Sequence, residues 1–187
     1  MEWLIEQGAF VAVFDFALCE LSNQLRGSVV NAGPSRLEAA GRLGIPQIVS
    51  PGASDMIDVQ SWRPLSAQYQ GRPYHAHNRL IGSVTSTSEE RRELARFIAG
   101  KLNQAQGPTA FLLPRRGLHA WDRPGQDLHD PEGHQAYVDE FRHSLRPPVA
   151  LHDLDLHIND PELVAKSLEI FDQWVAAGVI ARPDRGR

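Results

Sequence analysis

The chain has 187 residues, of which 42% are hydrophobic and 22% are charged, so it can bury the core of one globular domain and differs from a disordered segment. Its net charge of −4, without a block of Lys or Arg, argues against a DNA-binding surface, and its single cysteine, Cys19, excludes an intrachain disulfide. Because no apolar run could span a bilayer and the first residues do not form a signal peptide, we expect a soluble, cytoplasmic protein with no membrane partner.

Four short apolar runs predict buried strands. They lie at 11–16, 46–50, 109–114 and 149–156, and Gly or Pro residues bound them. Such runs are typical of parallel strands that are covered on both faces.

The clearest helix is predicted over 87–105, between the second and third of these apolar runs. Thr87 and Glu90 have the spacing of a capping box, in which each side chain binds a free backbone N–H at the helix start. Apolar residues then repeat at helical spacing up to Gly107-Pro108.

Three further helices are predicted from their first residues. Asp130-Pro131 and Asp160-Pro161 each place proline at the first helical position, where its missing N–H costs nothing. Gly33-Pro34 begins a shorter helix that ends near Gly44.

Strands that alternate with helices predict one α/β domain over 1–187. We expect a mainly parallel sheet with helices on both faces, an open, doubly wound, Rossmann-like fold. The segment 52–81 is the least regular part and contains Trp62, Tyr69 and Tyr74. A loop of that length is usually functional or wraps a sheet edge.

Polar and glycine residues collect after the predicted strands, where ligands bind in open α/β sheets. Backbone N–H groups near the glycines could hold an anion, and the arginines could supply its countercharge. Ordinary turn chemistry and a solvated charge pair are the alternatives. The candidate ligand-binding residues are Asp15, Gly33, Gly52, Asp55, Asn78, Arg115, Arg116 and His157.

Histidines supply the candidates for metal binding and proton transfer. His75 and His77 would share one face of an extended segment and could bind a divalent metal together with Asp15, Glu20 or His157. The alternative is a hydrogen-bonded edge strand. His157, His77 and Asp15 are the catalytic candidates, and His157 is the better group for proton transfer. The other histidines (119, 129, 134, 143 and 152) are interpreted mostly as surface or strand-end residues.

Seven segments, which follow one another along nearly the whole chain, resemble motifs of one known family. They are 14–21, 31–40, 44–56, 77–78, 112–117, 130–132 and 157–161. The family is related to the tomato tobamovirus-resistance protein and is often labelled Tm-one-like ATP-binding proteins. The chain departs from its pattern at Arg79, at 58–60 and at His119, all on the candidate ligand-binding rim.

The resemblance implies a two-lobed protein of which this chain is the C-terminal lobe. It assigns ATP to the N-terminal lobe, which this chain lacks and which is therefore the expected partner. It supplies no reaction, and the chain contains neither a P-loop, a G-x-G-x-x-G motif nor a G-x-S-x-G elbow.

Three functions remain open at this point. The first is a ligand-binding lobe of a nucleotide-associated protein, with a small anion in a cleft shared with the missing lobe. The second is a metal- or histidine-dependent hydrolase or transferase that acts across the lobe interface. The third is a protein-interaction or oligomerisation module that uses Trp62, Tyr69 and Tyr74.

Overall fold

A computed structural model describes residues 1–180, which contain seven strands and six α-helices. The strands are β1 (Val13–Asp15), β2 (Gln47–Val49), β3 (Met56–Gln60), β4 (Tyr74–His75), β5 (Ile81–Thr85), β6 (Thr109–Pro114) and β7 (Ala150–Leu154). The helices are α1 (Glu2–Glu6), α2 (Cys19–Leu25), α3 (Ala39–Arg42), α4 (Ser88–Leu102), α5 (Pro131–Ser144) and α6 (Pro161–Ala176). Short 3-10 turns form at Ala67–Tyr69 and Ala120–Asp122.

The main sheet has four strands in the order β1-β2-β6-β7, and every pair is parallel. These are the four strands predicted from the apolar runs, although β1, β2 and β7 are shorter than predicted. The sheet confirms the α/β fold class. No helix among residues 1–180 combines the length and the apolar character needed to cross a membrane.

Helices cover both faces of this sheet, as alternate residues of β6 show. Phe111 and Leu113 pack with the apolar faces of α4 and α5. Ala110 and Leu112 point the other way and pack with Leu163 and other residues of α6. Successive side chains of a strand point to opposite faces, so a strand buried on both sides is a continuous apolar run.

The predicted starts of the long helices are confirmed. Thr87 and Glu90 form both hydrogen bonds of the capping box of α4. The Asp130 side chain caps α5 by accepting the backbone N–H of Gly133. Asp160 precedes α6 but makes no cap bond with it; its carboxylate accepts the backbone N–H of His157 instead.

The shorter helix differs from its prediction. It was expected from Gly33-Pro34 to Gly44, whereas α3 covers only Ala39–Arg42. Leu37 has a φ of +69°, a left-handed conformation that interrupts a right-handed helix.

The irregular segment contains a second sheet that the apolar pattern did not reveal. Strands β3, β5 and β4 pair antiparallel in that order. Tyr69 is buried against Ile57 and Val84, so it is not available for the apolar patch proposed with Trp62 and Tyr74, which are both exposed.

Candidate functional site

A cavity of about 510 Å³ opens at the carboxyl ends of β6 and β7. The segments that follow these strands form its wall, together with the beginning of α5. The predicted residues Asp55, Arg115, Arg116 and His157 line it, so the fold brings them together. Ligands in open α/β sheets bind at this end of the strands. We call it the main cavity and treat it as the candidate functional site.

The floor of the main cavity contains a buried carboxylate, Asp55, between two basic side chains. Arg91 Nη2 lies 3.4 Å from Asp55 Oδ2, and His119 Nε2 lies 3.2 Å from Asp55 Oδ1. Burial raises the pKa of Asp55, but the charges of Arg91 and His119 outweigh it and hold this pKa well below its usual range. Burial lowers the pKa of His119, but the negative charge of Asp55, 3.2 Å away, outweighs that effect and raises it. Asp55 is therefore an ionised carboxylate.

His157 is held by contacts to both of its ring nitrogens. Its Nδ1 accepts the backbone N–H of Asn159 at 3.1 Å, which places the ring proton on Nε2. Nε2 lies 2.9 Å from Asp122 Oδ1 and donates to it. Arg123 Nη2 lies 3.2 Å from Nδ1 as well. Because neither nitrogen has a free lone pair, His157 orients Asp122 and is poorly placed to accept a proton.

His134 has the opposite surroundings. It lines the main cavity from the first turn of α5, and neither of its buried ring nitrogens makes a well-aligned hydrogen bond among residues 1–180, although the ring approaches the backbone of Pro114. Burial is the main cause that lowers the pKa of His134, so the ring is neutral at pH 7. A neutral imidazole with an unused nitrogen can accept a proton or a hydrogen bond from a ligand.

Three arginines stand at the mouth of the main cavity, each beside an aspartate. The pairs are Arg115 with Asp153, Arg116 with Asp155 and Arg123 with Asp160. The Arg116 guanidinium donates twice to its aspartate, at 3.1 and 2.7 Å. Arg123 makes a single contact with its aspartate, at 3.4 Å, and its side chain is 48% exposed. The guanidinium of Arg123 is therefore the freer of these two to bind an anion.

Asp15 and Glu20 lie outside the main cavity. Both carboxylate oxygens of Asp15 accept hydrogen bonds from Arg36, one of them at 2.8 Å. Glu20 lies 3.8 Å from the same guanidinium. The three residues line a separate cavity of about 600 Å³ beside α1. Asp15, a catalytic candidate from the sequence, thus has the structural role of neutralising a buried arginine.

Gly33, Gly52 and Asn78 also do not line the main cavity. Gly33 lies in an exposed turn in which the Asn31 side chain accepts its N–H. At Gly52, a Cβ would lie 2.1 Å from the carbonyl oxygen of Phe16, so glycine is needed for close packing. The Asn78 side chain accepts two backbone N–H groups of the turn between β4 and β5.

His75 and His77 both contact the ring of Trp121. His75 stacks on it at a centroid distance of 4.1 Å, and His77 meets its edge at 5.1 Å. His75 Nδ1 lies 2.8 Å from Asp127 Oδ2. Over residues 1–180, the group of side chains close enough to share one metal ion is a different one, Asp55, His119 and Asp122.

Two buried residues that contact Asp55 beneath the main cavity were missed or misjudged from the sequence. His119 was interpreted as a surface or strand-end residue, but it is only 7% exposed. Arg91 is 1% exposed, although it lies in a run of charged residues. A sequence signal for Arg91 did exist, because it falls on the stripe of Leu94, Ile98 and Leu102 at helical spacing.

Comparison with known proteins finds one matching family and several relatives. The model of the uncharacterised protein family (UPF0261) C-terminal domain matches residues 1–175. A UPF0261 protein of Brucella melitensis is 48% identical over 181 residues, which cover 97% of this chain and 43% of the relative. A UPF0261 protein of Clostridium tetani is 34% identical, over 87% of this chain and 40% of the relative. The ToMV resistance protein Tm-1 of Solanum lycopersicum is 31% identical, over 91% of this chain and 23% of the relative.

Proposed function

We propose that the chain, which belongs to the UPF0261 family through its C-terminal domain, is a ligand-binding α/β lobe. In this proposal its main cavity binds a small anionic molecule. The family match confirms the resemblance to the tomato resistance protein. Ligand binding itself and the anionic character of the ligand are what this proposal adds.

The main support for the proposal is that three arginines lie at the mouth of the main cavity. Arg115, Arg116 and Arg123 border the same cavity, and their side chains are 41%, 61% and 48% exposed. A planar guanidinium binds a carboxylate or phosphate through two parallel hydrogen bonds. Arg123 is the first contact in this proposal, because it holds its own aspartate least closely.

The size of the main cavity and the polar groups that line it support a small molecule. Its volume of about 510 Å³ lies within the range of roughly 300–1,000 Å³ that is usual for small-ligand sites. His134 also lines the cavity, and its ring nitrogens make no well-aligned hydrogen bond among residues 1–180. A ligand with an anionic end and a hydroxyl or amine group would satisfy both parts of the cavity.

The lengths of the bacterial relatives bear on how the cavity is completed in a whole protein of this family. The chain spans about two fifths of the length of the bacterial relatives that it matches. In the proposal, the part of the whole protein that this chain does not match completes the cavity as an N-terminal lobe, and nucleotides are the first anions to test.

The test is anion binding by three arginine variants of this chain, with ATP, inorganic phosphate and citrate as probes in thermal-shift and calorimetric titrations. A charge-assisted hydrogen bond contributes about 1.5–3 kcal/mol, so Arg123→Ala should weaken the bound probe roughly 10- to 100-fold. Arg116→Ala should weaken it less, because Asp155 already engages that guanidinium. Arg146→Ala changes an exposed arginine outside the cavity and is the control. Equal affinities of Arg123→Ala and Arg146→Ala would remove the assignment.

A second candidate function is a histidine-dependent hydrolase or transferase. His134 favours it, because this neutral imidazole lies in the cavity with unused nitrogens. The test is turnover of phosphate and carboxylate esters by the wild-type chain and by His134→Gln. Activity that His134→Gln retains in full would exclude His134 as the base.

A further inference from the structure

We propose that the floor of the main cavity binds one divalent transition-metal ion through Asp55, His119 and Asp122. This site differs from the His75–His77 pair that the sequence suggested. It does not rest on anion binding, because its test uses the metal ion alone.

The distances between the three side chains fit one ion. His119 Nε2 lies 3.2 Å from Asp55 Oδ1 and 4.0 Å from Asp122 Oδ2, and one ligand atom of each residue lies within 4.8 Å of the other two. Metal–nitrogen and metal–oxygen bonds of about 2.0–2.2 Å place neighbouring ligand atoms roughly 3 Å apart and opposite ones roughly 4 Å apart. Small side-chain movements would bring all three atoms to bonding distance.

A buried oxygen without a hydrogen bond gives independent support. Asp55 is 2% exposed, and its Oδ1 accepts no well-aligned hydrogen bond among residues 1–180, although His119 Nε2 lies 3.2 Å away and pairs with it electrostatically. Its other oxygen faces Arg91. An ionised oxygen that is buried without a partner costs free energy, and a cation bound to it would offset that cost.

The ligands are already held by neighbouring groups. Asp122 Oδ1 accepts from His157, and its Oδ2 accepts the backbone N–H groups of Leu118 and His119. Outer contacts of this kind orient metal ligands and strengthen binding. His157 thereby acquires a defined role as a positioning residue for Asp122.

One contact must change when the ion binds. His119 Nδ1 accepts the backbone N–H of Trp121 at 3.3 Å, so the ring proton lies on Nε2. Coordination through Nε2 moves that proton to Nδ1, and the Trp121 contact must then open. The Trp121 indole lies 5.8 Å from the His119 ring, so its fluorescence should respond to the metal.

The ligand set indicates the class of metal. One imidazole nitrogen and two carboxylate oxygens suit Mn²⁺, Fe²⁺ or Zn²⁺ better than Ca²⁺, which prefers six or more oxygens. Asp55 and Asp122 line the main cavity, so the remaining coordination positions would face it.

The experiment is equilibrium dialysis of the chain against Mn²⁺, with Zn²⁺ in parallel. We expect one ion per wild-type chain and at least a tenfold loss of affinity in His119→Gln. His143→Gln, an exposed histidine near the end of α5, is the matched control and should bind like wild type. The double variant His75→Gln/His77→Gln should also bind like wild type.

Three results would overturn the site: no stoichiometric ion in wild type, equal affinity in His119→Gln, or a loss confined to His75→Gln/His77→Gln. If His119→Gln does not fold, the fluorescence of wild type and Trp121→Phe decides. Because His75 and His77 also contact the Trp121 ring, the measurement is repeated in His75→Gln/His77→Gln. A metal-induced change that persists in this double variant and that Trp121→Phe abolishes supports the site. A change that remains complete in Trp121→Phe contradicts it.

Discussion

The substitution Gly52→Ala separates the two roles that this glycine can have. An alanine Cβ would lie 2.1 Å from the carbonyl oxygen of Phe16 and 2.5 Å from Cδ1 of Ile158. The Ile158 side chain can rotate away, but the Phe16 oxygen is backbone. Moving that oxygen disturbs the turn in which the Gly52 carbonyl accepts the N–H of Leu18 at 2.9 Å. Overpacking of this kind typically costs 1–3 kcal/mol, and contact with backbone favours about 3 kcal/mol here.

Urea unfolding and thermal melting of the purified chain measure this cost. A loss of about 3 kcal/mol should lower the Tm by roughly 6–12 °C for a domain of this size. Gly100→Ala is the matched control, because an added Cβ meets nothing within 4 Å in α4. It should stabilise the chain by about 0.5–1 kcal/mol through helix propensity. If Gly52→Ala unfolds like wild type but loses an anionic ligand, the packing argument fails and Gly52 serves as an anion cradle.

Two further predictions concern buried groups. Arg91→Met removes the guanidinium beside the buried Asp55 and should lower the free energy of unfolding, measured in urea, by about 3–5 kcal/mol. The control is Arg96→Met, which breaks an exposed ion pair and should lower it by at most about 1 kcal/mol. Similar losses in the two variants would contradict the argument from burial. Burial is the main cause that raises the pKa of the Cys19 thiol to about 12, and the charges of Glu20 and Asp58 add to it. At pH 8, iodoacetamide should therefore alkylate Cys19 in the native chain on the order of 10³-fold more slowly than in the unfolded chain. Mass spectrometry should show the native rate still rising above pH 9, where the unfolded rate levels off, and comparable native and unfolded rates at pH 8 would refute the shift.

The main sheet could be predicted because its strands are specified locally. All six residues of β6 are buried, so the sequence 109–114 has to be apolar or small throughout. The cap of α4 involves Thr87 and Glu90, which are three residues apart. Patterns of this length can be recognised in one sequence.

The second sheet could not be predicted because its partners are distant in sequence. Strand β3 carries Asp58, whose carboxylate would be costly in a sheet without hydrogen bonds. Ser83 of β5 and Asn23 of α2 both donate to it, at 2.8 and 2.9 Å. The polar residue that interrupts the strand pattern is therefore satisfied by two other elements.

The candidate site also depends on contacts between residues that are distant in sequence. One of its contacts, however, could have been inferred from the position of Arg91. Arg91 occupies the apolar stripe of α4, and a guanidinium buried there without an anion would cost several kcal/mol. Its position alone thus requires a carboxylate from another element near the first turn of this helix. Two aspartates at the starts of other elements supply it: Asp55 immediately precedes β3, and Asp130 caps α5. A charge on an apolar helical stripe therefore indicates a buried ion pair, and here that pair forms part of the floor of the main cavity.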